Sequence, residues 1–140
     1  VRYISYNVDG GVMSTVYPLA KQDFEIGILD IMGNPVRIAL CSGVYVYNAA
    51  HKFRSSLAGV LATSDVLINK SNDNGTFRAA NITLPLVADG DIIQFVIGYI
   101  DLGGPSVDRL VWMEDGLTSP TNGADVVVHF NSGPSGIFTL

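Results

Sequence analysis

The chain is predicted to be all-β, an antiparallel β-sandwich or open barrel of about eight strands with one short helix and an extended N-terminal arm. Three observations carry this. Runs of roughly five to ten β-branched, aromatic and aliphatic residues recur along the chain, the length of ordinary strands. Turn sequences such as Asn74-Gly75, Gly103-Gly104-Pro105 and Asn122-Gly123 separate them at short intervals. The 140 residues are 48% apolar but only 15% charged, against roughly 25% charged in an average domain. Such a chain fills one core and builds much of its surface from Ser, Thr, Asn, Gly and apolar groups, a composition suited to association. No linker, low-complexity tract or internal repeat divides it, so the reading is an arm at residues 1–11 and one β-rich domain at residues 12–140.

In the arm, Tyr3, Ser5 and Asn7 alternate with Ile4, Tyr6 and Val8 before a break at Asp9-Gly10-Gly11, a pattern that favours positive φ. Such an arm pairs with the domain's own sheet or with a neighbour's. Tyr3, Ile4, Tyr6 and Val8 are its candidate interface residues, and the tyrosines supply amphipathic contact area at low entropic cost.

Residues 12–19 suit a short strand that Pro18 confines to an edge. In residues 21–32, Phe24, Ile26 and Ile28 alternate as in a strand while Phe24, Ile28 and Ile31 recur at helical spacing, and Gly27 inside the run favours the strand. After the turn Gly33-Asn34-Pro35, residues 36–41 form a strand with Ile38 and Leu40 on one face, and Val44-Tyr45-Val46-Tyr47 alternates like another. Asn48 is a good N-cap, and Phe53 and Leu57 at i, i+4 spacing predict that a short helix runs from there to Leu57. Residues 60–69 and 76–84 are strands around a hairpin-type turn ending in Asn74-Gly75. Residues 92–100 are too densely apolar for a half-exposed strand and predict a central one, with further strands at residues 109–113, 124–130 and 136–140.

The chemistry-bearing residues are few. Eight Lys and Arg against thirteen Asp and Glu give a net charge of −5, which opposes nucleic-acid binding. The single cysteine, Cys41, excludes an intramolecular disulfide and any zinc site of paired thiolates, and it reads as a buried apolar group. His51 falls at the expected helix and His129 in a strand facing the same way as Val127, and neither has a ligand or triad partner at a useful spacing. Loop carboxylates at Asp89, Asp91, Asp101, Asp108, Glu114, Asp115 and Asp125 invite a calcium or glycosidase reading, but no calcium-loop pattern continues from them, and Asp in turns usually bonds its own backbone. Trp112, Tyr45, Tyr47 and Tyr99 could form a sugar platform, though their place inside strands makes packing the cheaper reading. Asn81-Ile82-Thr83 matches a glycosylation acceptor by chance. With no triad, metal set, phosphate loop or cofactor fingerprint, the expectation is a protein that is not an enzyme, needs no cofactor and binds no metal. The first residues lack an apolar signal region, and no apolar run approaches the roughly 18 residues of a membrane span, so the chain is expected to be made in a cytoplasm and to stay out of membranes.

Two segments, Tyr45-Val46-Tyr47-Asn48-Ala49-Ala50-His51-Lys52-Phe53 and the ending from Ser119-Pro120-Thr121-Asn122-Gly123 through Asp125 and Val126-Val127-Val128-His129-Phe130 to Ile137-Phe138-Thr139-Leu140, carry a resemblance. Together with the run from Ile92 to Ile100 and Asp101, they resemble a group of small virion structural proteins of tailed bacteriophages, over residues 36–140. The resemblance implies a capsid decoration or cement protein that binds the major capsid protein on the outer shell and acts without catalysis. A homo-oligomer, possible as a trimer under cyclic symmetry, is the expected state. The alternatives are a tail or baseplate component and a carbohydrate-binding module. Residues 1–35 depart from the group's pattern and are where an attachment particular to this chain would lie.

Overall fold

A computed structural model describes residues 2–5, 14–130 and 133–140, with the backbone alone at residues 2, 4 and 5. In chain order the elements are β1 (Arg2–Ser5), β2 (Ser14–Val16), α1 (Pro18–Glu25), β3 (Val36–Cys41), a 3-10 turn (Arg54–Ser56), β4 (Val60–Thr63), β5 (Ser71–Asp73), β6 (Thr76–Arg78), β7 (Ile82–Leu84), β8 (Ile92–Ile93), β9 (Phe95–Ile100), β10 (Arg109–Glu114), β11 (Ser119–Pro120), β12 (Val126–His129) and β13 (Phe138–Thr139). The chain is all-β and sandwich-like, as its sequence predicts. Thirteen strands appear among the described residues because several expected strands are broken into short pieces. The run 92–100 divides at Gln94: β8 pairs with β11, whereas β9 pairs with β3 and β10.

A five-stranded sheet, ordered β2-β10-β9-β3-β4, forms the centre. β9 sits in its middle, as its apolar density requires, and alternation sends its side chains into two different cores. Val96 and Ile100, with Val36, Ile38 and Leu40 of β3, face the larger core, which is closed by the sheets β1-β12-β7 and β13-β6-β5 through Leu84, Val126, Val128, Phe77 and Phe138. Ile97 and Tyr99 face the other side with Ala39, Cys41 and Leu110, where Tyr17, Ala20 of α1 and Tyr45 cover them. A sheet buried on both faces explains why β3, β9 and β10 lack a polar stripe. Gly98 is required where it stands: it lies opposite Trp112 in the β9–β10 register, and a Cβ there would overlap the indole ring.

Three expectations are corrected. Residues 18–25 form a helix and not a continued strand: Pro18 occupies the first turn, where its missing N–H costs nothing, and Gly27, at φ 76°, follows the helix as a left-handed stop whose N–H bonds to Phe24 O. Residues 48–57 do not form the expected helix. Asn48 does accept from Ala50 N at 2.8 Å, but the chain then extends, because Phe53 bridges to Arg109, Leu110 N donates to Lys52 O, and Arg54 N donates to Asp108 O. Residues 44–47 are irregular, with Tyr45 turned inward and Val44 and Val46 outward. The Asn74-Gly75 turn behaves as read: φ is 52° and 86° at the two residues, as a two-residue hairpin between β5 and β6 requires.

Candidate functional site

Of the four expected interface residues, the structure places two. β1 lies parallel to β12 of its own chain, with Tyr3 opposite Val127 and Ile4 opposite Val128. Tyr3 is 64% exposed, and its ring tilts against that of His129 at 5.3 Å between centroids. Tyr6 and Val8 lie outside the described residues. His129 is also held from the other side, where Asn81 Nδ2 donates to its Nδ1 at 3.2 Å and Asn81 Oδ1 accepts from Phe130 N. The Asn81 side chain is thus part of the β12 support, and His129 is a half-buried residue at the end of that strand.

Three of the seven carboxylates singled out in the sequence, Asp101, Asp108 and Asp125, are engaged with backbone N–H groups or arginines. Asp108, fully buried, accepts from Leu102 N, from Gly104 N and from Arg54 Nε at 2.7 Å. Asp101 accepts from Arg37 Nε at 2.8 Å and from Gly103 N, and the arginine bond, ahead of the amide, holds its carboxyl below the usual carboxylate range. Asp125 accepts from Leu86 N. Among the described residues no three His, Cys, Asp or Glu side chains come together as a metal would require.

Three of the four aromatic residues considered for a sugar platform are core residues: Trp112 is fully buried, and Tyr45 and Tyr99 are each 2% exposed, whereas Tyr47 is half-buried against the second core. Trp112 packs against Phe77 and Phe138, which stack on each other. Cys41 is equally buried, and desolvation pushes its thiol up to about 12, which keeps it protonated and unreactive near neutrality.

Sequence reasoning missed the buried polar groups. Tyr17 and Tyr45 hydroxyls meet at 2.8 Å, and Tyr45 Oη lies 2.8 Å from His51 Nδ1. Burial raises the pKa of both tyrosines, so they remain phenols. Arg109 pairs with Asp23 of α1 at 2.7 Å, and among the described residues its Nε and Nη2 find no hydrogen-bond partner. Lys70 Nζ donates to the carbonyls of Ile31, Met32 and Asn34, tying the turn before β3 to the one before β5. No local pattern announces these contacts, since their partners are many residues apart.

What faces outward is strongly apolar. Ile26, Ile28, Val44, Val46, Ile68 and Leu86 are 62% to 75% exposed, and β4 leaves one edge of the central sheet unpaired. Four of the eight Lys and Arg, namely Arg37, Arg54, Arg109 and Lys70, are committed to internal contacts. Among the described residues no helix is long and apolar enough to cross a membrane. Comparison with protein-family models, with curated proteins and with solved structures finds no match to this chain.

Proposed function

We propose that this chain is a virion structural protein of a tailed bacteriophage, a decoration or cement protein that binds the outer face of the capsid and bridges subunits of the major capsid protein. The observation that carries the reading is the surface: widely exposed aliphatic side chains on a domain with few charges, which need a partner to leave water. The carboxylates and histidines described above are taken up by structural contacts, which favours an assembly role over a catalytic one. The remaining cations are too few for a phosphate-binding stripe, and the net charge of −5 suits a surface turned away from packaged DNA. Each bound copy would stabilise the assembled shell by mass action. A cyclic homo-oligomer, a trimer, would present several such surfaces to the shell at once.

The arm is the proposed contact, through Tyr3 and Ile4 on β1 and Tyr6 and Val8 beyond it. The test is co-sedimentation of the purified chain with capsids that lack it, alongside a chain without residues 1–11. Saturable binding that raises the capsid's resistance to heat is expected, weakened about tenfold or more by the deletion. Undiminished binding of the shortened chain, with its fold verified, would remove the arm from the interface. No binding by the full chain would remove the decoration role.

A further inference from the structure

Tyr17, Tyr45 and His51 stand in a row joined by two hydrogen bonds of 2.8 Å, Tyr17 Oη to Tyr45 Oη and Tyr45 Oη to His51 Nδ1. The row runs outward from the second core: Tyr17 is 0% and Tyr45 2% exposed, and His51 is half-buried. It joins the residue before α1 to an irregular segment, residues 44–51, that belongs to no strand and lies between β3 and the point where Lys52 and Phe53 meet β10. Neither hydroxyl has another hydrogen-bond partner among the described residues.

Counting hydrogens shows what the row tolerates. When His51 Nδ1 is an unprotonated acceptor, Tyr17 donates to Tyr45 and Tyr45 donates to His51, so both hydroxyl hydrogens are placed. An imidazolium brings a third hydrogen to a row with two junctions. One hydroxyl hydrogen is then left buried without an acceptor, whichever way the tyrosines turn. Nothing else at hand relieves this. The groups acting electrostatically on Tyr17 and Tyr45 are each other, Cys41 of β3 and Tyr47 of the same segment. On the adjoining elements, Lys52 Nζ lies over the Phe53 ring, and Arg109 of β10 is paired with Asp23 of α1.

We infer that His51 is an acid-sensitive latch: neutral, it pins residues 44–51 against the second core; protonated, it releases them. The consequence reaches the surface, because Val44 and Val46 flank Tyr45 and are 69% and 75% exposed. Release of Tyr45 frees both valines, of which Val44 stands beside Gly59 at the start of β4. The inference stands independently of the virion reading.

The experiment is hydrogen–deuterium exchange of the full chain at about pH 7.5 and about pH 5, on either side of the range in which an imidazole takes up its proton, corrected for intrinsic exchange rates. Protection over residues 44–51 is expected to fall about tenfold or more at the lower pH. His51→Gln, which accepts through Oε1 but takes up no proton, should show no such fall, whereas His129→Gln should keep the wild-type response. Equal responses in wild type and His51→Gln, or none in wild type, would overturn the latch. If His51→Gln does not fold, ring-nitrogen NMR of the wild type near neutral pH decides: an unprotonated Nδ1 supports the row, and an Nδ1–H overturns it.

Discussion

Glu114 is 3% exposed and stands opposite Ser14 at the end of the β2–β10 ladder. Burial pushes its carboxyl up to about 8, with neighbouring Asp115 adding to the rise and a hydrogen bond with Ser14 opposing it. An unfolded glutamate titrates near about 4.3. Because the folded value is the higher one, the stability that the neutral carboxyl supports is complete below the unfolded value and is lost as pH rises to about 8. Urea unfolding should therefore show a midpoint that declines from about pH 5 to about pH 9, and Glu114→Gln should flatten the decline, leaving the variant more stable at the upper end by on the order of 1–3 kcal/mol. An unchanged slope in the variant would contradict this. The sequence Trp112-Met113-Glu114-Asp115 gives no sign of it, since an acid at a strand end is ordinarily exposed, and only the return of β2 over that position buries it. Cys41, by contrast, was legible as buried from its apolar neighbours.

Elements were legible where hydrophobic pattern and turn chemistry agreed. β3, β9 and β12 fall inside their expected segments, β10 overruns its own by one residue, and the β5–β6 hairpin turns at its Asn-Gly pair. They were illegible where long-range contacts chose between local options. Residues 12–19 read as an edge strand and residues 21–32 offer both periods, yet α1 forms because it covers the second core with Ala20 and Phe24 and because Asp23 meets Arg109 of β10. The reverse holds after Asn48, where contacts with β10 and Asp108 draw the chain out of a helix. The Asp23–Arg109 pair is nearly dry, with side chains 13% and 6% exposed, so breaking it from one side is costly. Asp23→Ala should destabilise the protein by about 3–5 kcal/mol by leaving Arg109 buried and unpaired, while Asp23→Leu combined with Arg109→Met should recover most of that loss. Equal losses in the single and double variants, measured by urea unfolding, would show that the ion pair does not govern the docking of α1.

At the scale of the whole molecule, a central sheet buried on both faces consumes the strongest apolar runs, yet aliphatic side chains remain on the outside at Ile26, Ile28, Val44, Val46, Ile68 and Leu86. A sandwich was legible from the regular turns and short strands; its division into two cores was not, because the second depends on α1 and on the irregular segment carrying Tyr45. The proposed assembly role rests on that surface and on the low charge of the composition. The decisive measurement for it is cryo-electron microscopy of particles of the tailed phage proposed to encode this chain. Density for this domain at regular positions on the outer shell, at threefold or quasi-threefold sites, is the predicted result; density confined to the tail, or none on the particle, would contradict the proposed role.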